Sequence, residues 1–295
     1  RLLRISSGRL AAWPFSLPPV YITGLDRQRF VMEQPHPSYL DGRWSTSGFR
    51  DYFLRTLQYK LPHIAQLAML AGLASLLLGR GLPERWKRLL ILGLPVAGLL
   101  GIASFSTMQL GVRYVLPVLP LLMMVAAFAG RWLDARSTAV RRTALVVLAL
   151  VAAGSLRHHP DHLACFNEYA GGPIGGREHL LDSNIDWGQD LHQVRDFMQA
   201  HDLDRIGLVY FGTYPAELLG IRYEIPTGWQ PEPGWHAVSV NYVMGRPHLL
   251  REPDGTSRPA DVGELAYFQR FRPVARLGGS IDVYRIDAHG PRGSE

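Results

Sequence analysis

The chain has 295 residues, with 31 lysines and arginines against 25 aspartates and glutamates, so its formal net charge is +6. Hydrophobic residues make up 47% of it, and it contains one cysteine. This composition excludes a disordered chain, a collagen and a scaffold held by internal disulfides. Because the apolar residues are concentrated in its middle part, we divide the chain into an amino-terminal segment (1–60), an apolar region (61–156), a polar domain (157–286) and a tail (287–295).

The amino-terminal segment is predicted to lie along the outer surface of a membrane. The first residue is Arg1 rather than methionine, and three prolines interrupt the apolar stretch Leu10–Ile22. A signal peptide has an unbroken apolar core, so this stretch does not fit one. Its aromatic side chains suit the membrane interface, namely Trp13, Phe15 and Tyr21. We expect a fragment whose upstream helices are missing.

The apolar region contains four runs free of Asp, Glu, Lys and Arg: Leu61–Gly79, Leu89–Val112, Tyr114–Gly130 and Thr143–Leu156. A helix that crosses the hydrocarbon core needs about 20 mainly apolar residues. The first three runs are of that order, and the fourth reaches it if Arg141 and Arg142 extend to the interface. Buried helices of a soluble protein are the alternative, but four successive runs favour a membrane. The sequence predicts an α-helical membrane bundle of about four transmembrane helices.

The loop charges predict the orientation of this bundle. The loops Arg80–Arg88 and Arg131–Arg142 each carry four basic residues, whereas the loop between the second and third runs carries only Arg113. Basic loops stay in the cytoplasm, which places residues 1–60 and everything after Leu156 outside it. We therefore expect a multi-pass protein of the inner (plasma) membrane. Topology explains the positive charge, so no nucleic-acid partner is predicted.

Residues 157–286 are predicted to form an extracytoplasmic α/β domain, and the tail 287–295 is predicted to be disordered. Leu180–Leu181 resembles the end of a strand, Gly188–His201 has the apolar spacing of a helix, and Ile206–Phe211 has the length of a strand. Together they predict a β-α-β unit, with Asp186 as the N-cap of the helix. Further strands are predicted at Ile221–Ile225, Trp235–Val243, Val274–Leu277 and Ile281–Ile286, the last two as a hairpin.

Polar residues are dense where this β-α-β unit turns from strand to helix. In open α/β sheets, ligands bind in the crevice at the carboxyl ends of the strands. Carboxylate and amide groups there could bind the hydroxyls of a sugar, with an indole ring to stack against it. The predicted crevice residues are Asn167, Asp182, Asn184, Asp186, Trp187 and Asp190. Helix capping and turn chemistry explain the same residues equally well, and both interpretations stay open.

Metal sites have weaker support in the sequence. Asp182, Asn184 and Asp186 have the spacing of a calcium loop, but Trp187 occupies the sixth position, where such a loop requires glycine. A histidine-rich stretch, with His158, His159, His162 and Asp161, could bind zinc but fits a hydrated interfacial collar better. No metal ligand is therefore assigned. A divalent metal is possible, but no residues are identified for it.

Arg113 and Tyr114 precede a predicted membrane helix on its outer side. A guanidinium there could pair with a phosphate through two hydrogen bonds. The alternative is an arginine that anchors the helix at the interface beside a tyrosine. Lys60, just before Pro62, is a similar case with a weaker signal.

The run 166–173, with sequence FNEYAGGP, and the run 181–191, with sequence LDSNIDWGQDL, resemble the carboxy-terminal part of bacterial membrane glycosyltransferases. The chain is similar to the dolichyl-phosphate-mannose-protein mannosyltransferases of the GT-C superfamily. Two other stretches agree with this resemblance: the outer loop from His36 to Pro62, and the helix start Gly111–Pro117. The resemblance covers about Pro18 to Ile286.

The resemblance implies an enzyme that takes a sugar from a polyprenyl-phosphate donor and transfers it to an extracytoplasmic protein, lipid or glycan. It implies that Arg113 and Tyr114 contact the donor phosphate, with His36 and Lys60 as further candidates on the same face. The family's key acid lies in an upstream outer loop, so no catalytic residue is assigned here. The sequence departs from the pattern at Arg43 and at other positions in the outer loop and helix start, which leaves the donor and the acceptor open.

Two other classes of function remain open. The first is a membrane-anchored protein that binds a glycan or a peptide without catalysing a reaction. The second is a transporter, for which helices broken at mid-membrane would be expected. Pro95, Pro117 and Pro120 are the only signs of such breaks.

Overall fold

The computed structural model describes residues 18–34, 36–78, 84–134, 136–226 and 228–287. Three sequence-based expectations fall wholly or partly outside these residues. They concern the apolar stretch before residue 18, the centre of the basic loop at 79–83, and the tail from residue 288.

Among the described residues, seven α-helices come before the sheet domain: α1 (Pro19–Glu33), α2 (Tyr52–Lys60), α3 (His63–Leu78), α4 (Arg85–Ser104), α5 (Val118–Ala127), α6 (Gly130–Asp134) and α7 (Thr138–Leu156). A two-stranded hairpin, β1 (Ser38–Leu40) with β2 (Arg43–Ser45), lies between α1 and α2. Helix α5 packs on α3 and α4. Gly72 permits this contact, since a Cβ there would lie 1.9 Å from the carbonyl oxygen of Val125.

Two described helices are long and apolar enough to span a membrane, α4 from Trp86 and α7, and no residue of α7 is buried. Helices α2 and α3 form a further candidate as a pair, bent by 118° at their junction. The third predicted run is interrupted, because a 3₁₀ turn (Val112–Val115) precedes α5 and Gly130 begins a separate helix. Two or three candidate spans are therefore described, and the expectation of four stays a prediction.

The polar domain contains a five-stranded mixed sheet in the order β4-β3-β5-β9-β8. Its strands are β3 (Ile206–Val209), β4 (Tyr223–Glu224), β5 (Gly234–Ser239), β8 (Ala275–Leu277) and β9 (Ile281–Ile286). Strand β3 pairs in parallel with β4 and β5, while β9 runs antiparallel to β5 and β8. A separate hairpin joins β6 (Leu249–Arg251) and β7 (Ser257–Pro259). The predicted hairpin of β8 and β9 is confirmed, and an α/β sheet region is present.

The predicted β-α-β unit is wrong in its first strand. Leu180 and Leu181 are buried but lie outside any strand, and a 3₁₀ turn (Asp182–Asn184) follows them. Asp182 has φ of 64°, a left-handed conformation that cannot continue an extended strand. The predicted helix is present as α9 (Leu191–Ala200). The predicted strand Trp235–Val243 ends at Ser239, and the single-turn helix α10 (Val240–Val243) follows it. The other short helix of this domain is α8 (Gly172–Gly175).

Two apolar cores cover the two faces of the sheet. One packs α9 against β3 and β5 through Leu191, Val194 and Ala237, and the other surrounds Phe268 and Tyr284. A third core joins the two parts of the chain. In it, Leu180 and Leu181 pack with Tyr52 and Phe53 of α2, with Val118 of α5 and with Val115 in the turn before α5. The leucine pair is therefore buried in a junction between the sheet domain and the helices.

Candidate functional site

Arg113, Tyr114 and Trp187 lie together on the surface at this junction. The guanidinium carbon of Arg113 is 5.1 Å from the ring centre of Tyr114 and 5.0 Å from that of Trp187. Arg113 is exposed, and 42% of the surface of Trp187 is accessible. Aromatic faces attract a guanidinium at such distances and hold it in a preferred plane. We call these three residues the arginine–indole cluster.

A close approach between two turns positions Arg113. The turn before it contains Gly111, whose φ is 144° and where an added Cβ would lie 2.5 Å from Ser183 Oγ. The Ser183 hydroxyl donates to the Leu110 carbonyl, and the backbone N–H of Val112 donates to Asn184 Oδ1 at 3.0 Å. Only glycine combines this backbone conformation with this contact.

The side chain of Asn184 therefore links neighbouring segments through buried hydrogen bonds and does not face an open crevice. It is fully buried, and its Nδ2 donates to the Tyr52 hydroxyl at 3.1 Å and to the Leu181 carbonyl at 2.9 Å. With Val112 on its oxygen, all the hydrogen-bonding groups of this amide have partners. Asn184 therefore ties α2, the Asp182–Asn184 turn and the turn carrying Arg113 to one another.

Asp186 holds the loop that carries Trp187 through buried hydrogen bonds. Its carboxylate accepts from the N–H of Gly188 at 2.7 Å, from the N–H of Phe211 at 3.4 Å and from the Ser239 hydroxyl. The Phe211 ring lies 5.5 Å from the Trp187 ring in an edge-on arrangement. The prediction that Asp186 is the N-cap of α9 is wrong. The chain makes a further turn after Asp186, and Asp190 directly precedes the helix without a capping hydrogen bond.

Burial raises the pKa of Asp186 to about 7, against the lowering effect of the hydrogen bond from Ser239. Burial likewise raises the pKa of Asp190 to about 6, although the Ser280 hydroxyl donates to its carboxylate. Both groups lie in the sheet domain, where their partners fix the loop that carries Trp187. These carboxylates are enclosed within the protein and bonded to it.

Asp182 and Asn167 are also engaged internally. Asp182 forms a buried ion pair with Arg246, in which 6% of each side chain is accessible. Asn167 Nδ2 donates to the Leu61 carbonyl at 2.8 Å and to the carbonyl of Gln58, where α2 meets α3. Five of the six predicted crevice residues therefore have their polar side chains bonded within the protein. Trp187 is the one whose ring is available to a ligand.

No family model, curated protein or solved structure matches the chain. The chemistry of the site therefore rests on the geometry of its side chains.

The other two predicted donor-binding residues are bonded to other groups of the protein. Lys60 Nζ donates to the carbonyls of Leu163 (2.8 Å), Cys165 (3.0 Å) and Asn184, and it lies 3.6 Å from the centre of the Phe166 ring. Its three N–H groups are thus used within the protein. His36 Nε2 bonds with the Val31 carbonyl at 2.8 Å, at the end of α1.

Sequence reasoning missed Arg246 and Ser183. Arg246 donates to the Pro37 carbonyl at 3.2 Å and lies 5.3 Å from the Phe211 ring, besides pairing with Asp182. A single arginine in a loop carries no motif, so no local signal could have identified its role. Within the residues that the structure describes, no group of three or more His, Cys, Asp and Glu side chains is arranged to hold a metal ion, and no metal ligand is assigned.

Proposed function

We propose that this chain is the carboxy-terminal part of an integral membrane glycosyltransferase, which transfers a sugar from a polyprenyl-phosphate donor to an extracytoplasmic acceptor. The observation that carries the proposal is the contact between Arg113 and Trp187. One was expected to bind a phosphate and the other to stack on a sugar, for separate reasons. A sugar phosphate needs these two groups side by side.

In this proposal, the Arg113 guanidinium donates to phosphate oxygens while the indole of Trp187 covers a face of the sugar. An acceptor hydroxyl oxygen attacks the anomeric carbon, and the bond from that carbon to the phosphate oxygen breaks. The leaving phosphate takes the electron pair, and the fixed positive charge of Arg113 stabilises it. The acceptor proton passes to a carboxylate base, which we place in the upstream part of the enzyme on the resemblance described above.

The proposed topology has four transmembrane helices, with the sheet domain on the extracytoplasmic side of the inner membrane. Two or three candidate spans and the distribution of basic loops support it. In this orientation, the arginine–indole cluster faces the outer surface, where a lipid-linked donor presents its headgroup.

A membrane-anchored glycan- or peptide-binding protein without catalytic activity is the second candidate. One observation favours it: Asp182, Asp186 and Asp190 are buried and bonded internally, so none of them is placed to accept a proton from an acceptor. The two candidates share a ligand-binding role for Trp187 and differ in turnover.

The test uses the native polypeptide, purified from its source membranes and returned to liposomes with a polyprenyl-phosphate-linked hexose. We expect Arg113→Gln to lower the rate of sugar transfer about a hundredfold, the usual effect of removing one group that stabilises a leaving anion. Arg222→Gln, an exposed arginine of the sheet domain, is the matched control and should leave the rate unchanged.

Unchanged transfer by Arg113→Gln would contradict the proposal. Donor binding without any transfer by the unmutated protein would instead support the binding-protein candidate. Expression level and the thermal unfolding midpoint of each variant show whether it is folded.

A further inference from the structure

Two adjoining cavities lie where α7 ends and α3 begins, beside the segment 162–168. Their volumes are about 440 Å³ and 260 Å³, and both are lined by Lys60, Ser155, His158 and Cys165. They therefore meet around the Lys60 side chain. We call the pair the interfacial crevice.

The side chains that line this crevice carry unbalanced positive charge. Arg157 is cationic, Lys60 adds an amine, and His63, His158 and His162 add imidazoles. The lining contains one carboxylate, Glu168, whose side chain is 89% accessible and lies 3.5 Å from His63. In the described part of the chain, no carboxylate forms an ion pair with Lys60, whose partners are carbonyl oxygens and an aromatic ring. A bound anion would balance the basic groups of this lining.

Two of these basic groups have unused donors. Among the described residues, no hydrogen bond or ion pair engages the side chains of Arg157 and His158. Both follow the last turn of α7, and His158 is half-buried between the two cavities. A guanidinium next to an imidazole is suited to the oxygens of a phosphate group.

The position of the crevice indicates what carries that phosphate. Helix α7 is one of the two described helices able to span a membrane, and Arg157 comes directly after its last residue. Below the charged groups the wall is apolar, formed by Ile64 of α3 and Val151 of α7. A charged head above an apolar wall at the end of a span matches a lipid with its phosphate at the interface.

We infer that the interfacial crevice binds the phosphate headgroup of a lipid, with Arg157 and His158 donating to its oxygens. Lys60 places its amine at the base of the crevice, where carbonyl oxygens hold it. The second cavity is also lined by Val112 and Asn184, close to the turn that carries Arg113, but the inferred phosphate contacts use no residue of the arginine–indole cluster. The inference needs only that α7 spans a membrane. The phosphate could belong to a phospholipid of the bilayer or to a polyprenyl phosphate, which share this chemistry.

The test measures the retention of single lipids by the full chain in detergent, using native mass spectrometry. The probes are phosphatidylglycerol, polyprenyl monophosphate, and diacylglycerol with matched acyl chains as the lipid without phosphate. The double variant Arg157→Gln/His158→Gln should weaken binding of a phosphate lipid about tenfold or more, as expected for losing hydrogen bonds to a charged group. The control Arg141→Gln/Arg142→Gln removes two arginines near the other end of the same helix and should change it less than about twofold.

A variant that removes a negative charge instead of positive ones separates electrostatic binding from a general effect on folding. Glu168→Gln removes the one carboxylate of the lining and should leave phosphate-lipid binding equal or slightly tighter. Weaker binding by Glu168→Gln, equal binding by the double variant and the parent, or retention of both phosphate lipids no better than that of diacylglycerol would each overturn the inference.

The source of the phosphate follows from which lipids respond. Weakened binding of both phosphate lipids supports a site for bilayer phospholipids, and weakened binding of polyprenyl monophosphate alone supports a site for the lipid carrier. Because these measurements contain no sugar and no acceptor, their failure is distinguishable from failure of the proposed glycosyl transfer.

Discussion

The guanidinium carbon of Arg113 lies 5.0 Å from the ring centre of Trp187, although one residue precedes α5 and the other belongs to the sheet domain. The two are joined because Ser183 and Asn184 bond to the turn that precedes Arg113. The geometry of the exposed cluster thus depends on buried groups behind it. Substitutions in the exposed cluster should therefore weaken ligand binding, whereas substitutions in the buried groups behind it should also lower stability.

Trp187→Ala should weaken binding of a polyprenyl-phosphate-linked sugar about tenfold, because an aromatic face contributes roughly 1 kcal/mol beyond its buried area. Trp187→Phe should retain most of the affinity, since it keeps a face to stack on. Titration calorimetry in detergent, with the donor and with the sugar-free polyprenyl phosphate, measures both. Equal losses for the two lipids in Trp187→Ala would show that the indole does not contact the sugar.

Gly111→Ala should separate the two turns and lower donor binding by displacing Arg113. An added Cβ would lie 2.5 Å from Ser183 Oγ, and the φ of 144° is unfavourable for alanine, so we expect about 2 kcal/mol of destabilisation. Gly93→Ala, within α4 and with open space around it, is the matched control and should be neutral or stabilising. Thermal unfolding in detergent checks this, and Ser183→Gly should partly restore stability in the Gly111→Ala background.

Lys60→Met should be strongly destabilising, because it leaves three carbonyl oxygens in the junction without their donor. Losing hydrogen bonds to a buried charge costs about 3 kcal/mol or more. Lys87→Met removes an exposed lysine paired with Glu84 at 2.7 Å and should change stability by less than about 0.5 kcal/mol. Equal unfolding midpoints for the two variants would mean that the carbonyl contacts do not support the junction.

Some of this structure could be predicted from local pattern and some could not. The apolar spacing of 191–200 and the glycines at 278 and 279 indicate α9 and the β8–β9 hairpin, because short-range contacts determine both. Leu180–Leu181 lies outside any strand, because an apolar pair indicates burial without indicating its partners, which here lie on α2, on α5 and in the turn before α5. Arg113 and Trp187 are both sequence-based candidates for the site, and the structure places them in contact.

The support of the site could not be predicted in the same way. Asp182 and Asn184 have the residue types of a sugar-binding loop, and the same types suit a buried turn equally well. What decides between these roles is the partners of each residue, Arg246 for Asp182 and Val112 for Asn184, which are distant in sequence. A single sequence carries no signal for such pairs.

The sheet domain should be more stable at pH 5 than at pH 8. Burial raises the pKa of Asp186 to about 7 and that of Asp190 to about 6, so the folded protein holds protons that the unfolded chain releases near pH 4. This contribution is fully present below the unfolded pKa and is lost as the pH rises through about 6 to 7. Each group lowers the free energy of unfolding by about 1.4 kcal/mol per pH unit between about pH 4 and its own folded pKa.

Thermal unfolding of the full chain in detergent between pH 4 and pH 8 measures this dependence. Asp186→Asn keeps the shape of the side chain but cannot titrate, so its profile should be flatter than that of the parent. Glu224→Gln, an exposed carboxylate of β4 paired with Arg205, should leave the profile unchanged. A stability that rises steadily from pH 5 to pH 8 would contradict the raised pKa of both aspartates.

The ion pair of Asp182 and Arg246 should show strong energetic coupling. Both side chains are 6% accessible, so removing one partner leaves the other charge buried and unpaired. Arg246→Met should cost about 3–5 kcal/mol, and Asp182→Asn a similar amount. Asparagine tolerates the left-handed backbone at this position, where φ is 64°, so that variant isolates the loss of charge.

The double variant Asp182→Asn/Arg246→Met should cost clearly less than the sum of the single variants, by about 2 kcal/mol, because neither unpaired charge remains. Chemical unfolding of the four proteins in detergent provides this double-mutant cycle. Arg246→Met should also weaken donor binding, since Asp182 begins the turn whose neighbours, Ser183 and Asn184, hold Arg113 in place. Additive costs with unchanged donor binding would mean that the pair neither stabilises the junction nor supports the site.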